Sequence, residues 1–187
     1  MRKPWFRRIA VSPPEVRDWE AWARAAARNG ADALMIRGAS NAEAVVQSLS
    51  GYGLPLLYNG PPPPPRGVVA MHWKSSSPPT TQPEIINGRS CHTLHEVQAA
   101  QATGYDYVFF SPVFATRSHP DAPAHGTQVL QSVCRTCVIP VFALGGIDRS
   151  NEMLCLAAGA FGIAGISRFL DDVNPNDQMR PASHPCA

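Results

Sequence analysis

Apolar residues in this chain come in short continuous runs, and polar, helix-compatible segments separate them. The runs read as buried strands at residues 8–12, 33–38, 55–60, 67–73, 86–92, 107–114, 139–146 and 162–169. Runs that are apolar without alternation suit parallel strands covered on both faces. Between them lie helix signals. In residues 12–30, Ser12 and Glu15 have the spacing of a capping box, Val16, Trp19, Trp22, Ala23 and Ala26 recur at helical spacing, and Gly30 can end the helix. Ser40 with Glu43 and Thr93 with Glu96 repeat the capping signature, Gly104 supplies another stop, and residues 151–160 form a further helix. Eight strands alternating with helices predict a compact (β/α)₈ TIM barrel, with a flavodoxin-like open sheet as the alternative. The run of prolines at 61–65 joins the third and fourth strands where a crossover helix should stand, so that helix is expected to be missing. A second proline-rich stretch, 75–83, reads as an extended linker.

Composition adds bounds. The chain has 187 residues, of which 16% are charged, with a net charge of +2. That suits one domain over 1–170 and argues against nucleic acid or an acidic membrane surface as a partner. Residues 171–187 lack periodic apolar positions and are expected to be a disordered tail. No signal peptide or membrane span is legible, so a cytoplasmic protein is expected. Five cysteines with irregular spacing do not suggest a disulfide framework. Cys134 and Cys137 form a lone CxxC at the end of a helix, which favours structural thiols over redox or metal work. Strands left without a covering helix would expose apolar surface, so either a homodimer or packing of the proline segments is expected to cover it.

In either fold, ligands bind at the C-terminal ends of the strands. Arg37 ends the second strand and offers a planar fork to phosphate or carboxylate. Tyr58 and Asn59 close the third strand, His72 and Lys74 the fourth, and Ser90 and His92 the fifth. Thr116, Arg117, Ser118 and His119 follow the sixth. Gly145 and Gly146 end the seventh, and Gly165, Ile166 and Ser167 end the eighth, a pair of loops suited to holding an anion by backbone N–H groups. His92 and His95 have HxxH spacing, but they sit at a capped helix start with no third ligand in sequence.

The stretches 90–120, 138–147 and 157–169 resemble thiamine phosphate synthase and the related TenI thiazole tautomerases. The resemblance implies a (β/α)₈ barrel that joins hydroxymethylpyrimidine diphosphate to thiazole phosphate, releasing pyrophosphate with help from Mg²⁺. The pyrimidine would leave as a carbocation-like species, trapped by the thiazole nitrogen. Carried over by position, Gly145, Gly146, Ile166 and Ser167 would hold the thiazole phosphate. Arg37, Asn59, Thr116 and Ser118 would complete the substrate site, and Ser90 and His119 would be catalytic. The pattern is broken at several places: Met35 and Ala39 stand for the glutamine and lysine around Arg37, His119 for a lysine, and Gly60 for the first metal-binding aspartate. The metal ligands are therefore unknown, with Asp32, Glu84 and Asp106 as remaining carboxylates to consider. Pro112 stands where the tautomerases place a histidine, leaving His119 or His92 as the base of that alternative. A non-catalytic binder of thiazole phosphate or thiamine phosphate is the third reading.

Overall fold

The computed structural model describes residues 2–116 and 122–170. Eight parallel strands close into a barrel in sequence order. They are β1 (Arg8–Val11), β2 (Ala33–Arg37), β3 (Leu56–Asn59), β4 (Ala70–Trp73), β5 (Ile86–Cys91), β6 (Tyr107–Phe110), β7 (Val141–Ala143) and β8 (Gly162–Gly165). Five helices lie between them: α1 (Trp19–Arg28), α2 (Ala42–Leu49), α3 (Leu94–Thr103), α4 (Gly126–Thr136) and α5 (Glu152–Ala157). The open-sheet alternative is thereby excluded, since β8 pairs with β1 through Ile9 and Ala164.

Each strand sends alternate residues to opposite faces, as its period of two requires. Ile9, Met35, Leu57, Ala70 and Phe142 fill the barrel interior, while Ala10, Leu34, Met71 and Ile163 pack outward against the helices. The interior is largely aromatic. Tyr107 contacts the rings of Phe6, Phe109 and Phe142 with centroids 5.4–6.2 Å apart. Gly88 on the neighbouring strand makes that possible, because a Cβ there would lie 2.0 Å from the Tyr107 ring.

The helix missing between β3 and β4 is absent as expected, and so is the one between β4 and β5, which makes two crossovers without helices. Side chains take over their covering role. Pro65 and Val68 are buried against the outer face, together with Tyr58, Met71 and Trp73. In the second gap, Arg89 donates to the carbonyls of Ser75 and Ser77 at 2.7 Å, and Asn87 Oδ1 accepts from the Gln82 N–H and the Trp73 indole. The proline segments thus cover apolar surface at both crossovers.

Two helix starts differ from expectation. α1 begins at Trp19 with Asp18 as its cap, because Ser12 is held in the ladder by its N–H to Met35 O and by two hydrogen bonds with the Arg37 backbone. α2 is capped by Asn41, not Ser40, and the Glu43 carboxylate instead accepts from the Arg66 N–H of the proline segment. At α3 the expected box is present: Thr93 accepts from Glu96 N, the Glu96 carboxylate accepts from His92 N, and Gly104 ends the helix at φ 92°. Strands six to eight are shorter than their apolar runs, since Pro112, the Gly145–Gly146 pair and a 3₁₀ turn at Ser167–Phe169 leave the ladder for loops. Among the described residues, no helix is long and apolar enough to cross a membrane.

Candidate active site

The strand ends and their loops enclose a cavity of about 670 Å³. Its walls include Arg37, Asn59, Ser90, Thr116, Gly145, Gly146, Ile166 and Ser167, so eight of the ten residues expected from sequence meet in one place. The other two, Ser118 and His119, lie outside the described residues, as does Arg117.

One side of the cavity is lined by backbone N–H groups of two adjacent strand ends. The backbone N–H groups of Gly145, Gly146, Ile166 and Ser167 take no part in the loop hydrogen bonds of the described residues. They can therefore turn to a phosphate, as loops after the last two barrel strands commonly do. The glycines have a further purpose that their sequence context does not show. Gly145 and Gly146 have φ of 95° and 63°, and a Cβ would sit 2.8 Å from Pro112 and 2.2 Å from Ala115 O, respectively. They thus let the loop after β7 lie directly against the loop after β6, and that contact shapes this end of the cavity.

The opposite side carries a cation and oriented amide and hydroxyl groups. Arg37 Nε donates to Ser12 O at 3.0 Å, which fixes the side chain and leaves its terminal nitrogens for an anion. Burial pushes the Arg37 pKa down, the sign of a partly desolvated cation that an anionic ligand would resolvate. Asn59 Nδ2 donates to His72 O at 2.7 Å, which fixes the amide and leaves its carbonyl oxygen and second N–H for a ligand. Val11, Pro112, Leu144 and Ile147 supply apolar surface between the two sides.

Two features, the β4 loop and His72, were left without a role at the sequence level, and His92 was named only as a candidate base of the tautomerase alternative. Lys74, Ser75 and Ser76 bring a cation and hydroxyls from the β4 loop into the wall. His92 is in the wall too; its Nδ1 lies 2.8 Å from Ser111 O, an acceptor only, so Nδ1 carries a proton and a neutral His92 has its lone pair on Nε2. His72, inside the barrel, contacts Ser90 Oγ at 2.9 Å through Nε2 and Tyr107 Oη at 3.1 Å through Nδ1. It stacks on Phe109 with ring centroids 4.1 Å apart, and burial, with a smaller push from Arg89, lowers its pKa to about 3. The signal for His72 was its place two residues before Lys74, in the inward-facing register of β4.

The Mg²⁺ implied by the resemblance does not fit the groups present. Among the described residues, no carboxylate is in the cavity wall and no group of three or more His, Cys, Asp or Glu side chains is arranged to hold a metal. Mg²⁺ favours carboxylate oxygens. At Gly60, a Cβ would lie 2.2 Å from the Tyr58 hydroxyl, so the ring of Tyr58 fills the space an aspartate would need. Asp32 and Asp106 are occupied elsewhere. They precede β2 and β6, at the far end of the barrel, where Asp32 accepts from Arg7 N and Arg8 N and Asp106 from Arg2 N and Asn87 N. Glu84 also precedes its strand, in a turn at φ 70°. The CxxC is structural in character: Cys134 is in the last turn of α4, Cys137 caps it, and burial raises both thiols, Cys134 to about 11.

Residues 75–169 match the family model described as thiamine monophosphate synthase. A thiamine-phosphate synthase of Albidiferax ferrireducens is 34% identical over 145 residues, covering 73% of this chain and 66% of that protein. One from Methanocella arvoryzae is 47% identical over 84 residues, 44% of this chain and 40% of that protein. The chain spans about half the length of several such relatives, for example 55% of one from Aquifex aeolicus. Among solved structures, the thiamine phosphate pyrophosphorylase of Pyrococcus furiosus superposes with a TM-score of 0.72 at 22% identity, covering 89% of this chain and 94% of that one. The sequence match includes β5, β6 and the two glycine-bearing strand ends that line the cavity, and the chain belongs to the thiamine monophosphate synthase family.

Proposed function

We propose that this chain is a transferase of thiamine biosynthesis in the cytoplasm, joining hydroxymethylpyrimidine diphosphate to thiazole phosphate. The observation that carries the reading is the meeting, in one cavity, of the Gly145–Gly146 and Ile166–Ser167 backbone cradle with Arg37, Asn59 and Ser90. The cradle holds the thiazole phosphate, and the opposite wall holds the diphosphate. The pyrimidine C–O bond breaks, pyrophosphate departs with the bonding electrons, and the thiazole nitrogen supplies the pair that forms the new C–N bond. Arg37 is placed to take up the charge developing on the leaving oxygen. No step is assigned to a protein-held metal, because the described residues of the wall offer no carboxylate to ligate one.

The test is incubation with both substrates and Mg²⁺, following thiamine phosphate and pyrophosphate together. Equimolar appearance of the two is expected. Thiazole phosphate binding without either product would refute the synthase and leave a binder. The His92 geometry favours a second reading, thiazole phosphate tautomerisation with Nε2 as the base. In that case His92→Gln abolishes isomer exchange without loss of ligand affinity, and no pyrimidine substrate is needed.

A further inference from the structure

The floor of the cavity has a hydrogen-bond direction that the positions of the heavy atoms alone determine. Tyr107 is 0% exposed, enclosed by Phe6, Phe109 and Phe142, and its hydroxyl meets His72 Nδ1 as its polar partner among the described residues. A neutral imidazole has one donor and one acceptor. If Nδ1 carried the proton, it would donate to Tyr107 Oη, and the phenolic proton would be buried without an acceptor. Such an unpaired buried donor keeps its full desolvation cost. If Nε2 carries it, Tyr107 donates to Nδ1, Nε2–H donates to Ser90 Oγ, and every buried donor is used. An imidazolium would strand the phenolic proton equally, and burial disfavours it in any case.

The Ser90 oxygen then receives a bond from below, and its own proton has no protein acceptor among the described residues. Ser90 is in the cavity wall, so that proton points to the ligand. We propose that Tyr107 and His72 are positioning residues that lock the Ser90 hydroxyl as a hydrogen-bond donor into the cavity, selecting a ligand group that accepts there, such as a diphosphate oxygen. The ligand class rests on the function proposed above; the direction of the donor does not. The same lock keeps His72 from acting as a general base for Ser90, because the nitrogen facing the hydroxyl already carries a proton. Ser90 is therefore a recognition donor rather than an activated nucleophile.

Two measurements on the full chain test this. In ¹⁵N-histidine NMR, with His72 assigned by the His72→Gln variant, the ring is expected as the Nε2–H tautomer and unchanged between pH 5.5 and 8. A proton on Nδ1 would overturn the proposal. The second is titration with hydroxymethylpyrimidine diphosphate. Ser90→Ala is expected to weaken binding by about tenfold or more, as for a lost hydrogen bond to a charged group. Tyr107→Phe is expected to weaken it less, by releasing the lock, and to have no further effect in the Ser90→Ala background. Equal losses in both backgrounds would mean that Tyr107 acts through packing alone, and the proposal fails. If the unmodified protein binds no diphosphate, the functional reading falls, and the NMR result decides the donor direction by itself.

Discussion

At the scale of single residues, burial and partner count decide what each polar group can do. His72 is the sharpest case. In an unfolded chain a histidine takes a proton near pH 6.5, whereas here the folded value is about 3. Between those values the unfolded chain binds more protons, so stability falls as pH falls through that window, by up to about 1.4 kcal/mol per pH unit from this one group. Urea midpoints at pH 7.5, 6 and 4.5 should decline in that order, and His72→Gln should flatten part of the decline. An unchanged slope in the variant would assign acid sensitivity to other groups. The sequence showed a histidine at the end of a strand but not its depth, since depth depends on how β5 with Gly88 and β6 with Tyr107 pack beside it.

Elements impose their own demands, most visibly where two loops meet. The loop after β7 approaches the loop after β6 so closely that Gly146 faces Ala115 O and the Phe114 Cβ. Gly146→Ala would combine a positive φ with a backbone overlap, and one loop must retreat. The expected outcome is a loss of stability of about 1–3 kcal/mol, together with at least tenfold weaker thiazole phosphate binding, because both loops line the cavity. Retained affinity in a folded variant would place the anion elsewhere. The glycine pair was legible in sequence as part of the cavity wall, but its partner in the β6 loop was not, because nothing local links residues about thirty positions apart. The helix caps tell the same story. Ser40 and Glu43 have the right spacing, yet Glu43 serves Arg66 in the proline segment, so a correct local signal lost to a tertiary contact.

For the whole molecule, closure of the barrel is held by a buried charge network at its seam. Glu152 at the start of α5 accepts from Arg8 of β1 at 3.0 Å and from Arg168, beyond β8, at 2.6 Å. Arg168 also donates to the carbonyl of Asn29, whose amide reaches Phe169 O. Removing the carboxylate leaves the Arg168 charge buried without its partner. Glu152→Gln is accordingly expected to cost about 3–5 kcal/mol in urea unfolding, and Glu152→Leu with Arg168→Met should recover part of it. If Glu152→Gln costs less than about 1 kcal/mol, Asn29 and water suffice and the seam does not depend on the pair.

The sequence by itself determined the barrel, because eight apolar runs with helical segments between them leave few other ways to bury both faces of every strand. It also determined most of the cavity wall, because in this architecture the residue at the C-terminal end of a strand has its address written in chain order. Tertiary structure alone decided which side chains cover the two crossovers without helices, where Asp32 and Asp106 lie, and how Tyr58 closes the space beside Gly60. It also decided the direction of the Tyr107–His72–Ser90 chain. Each of these is set by contacts between residues far apart in sequence, and a hydrogen-bond direction depends on every neighbour of a buried group at once.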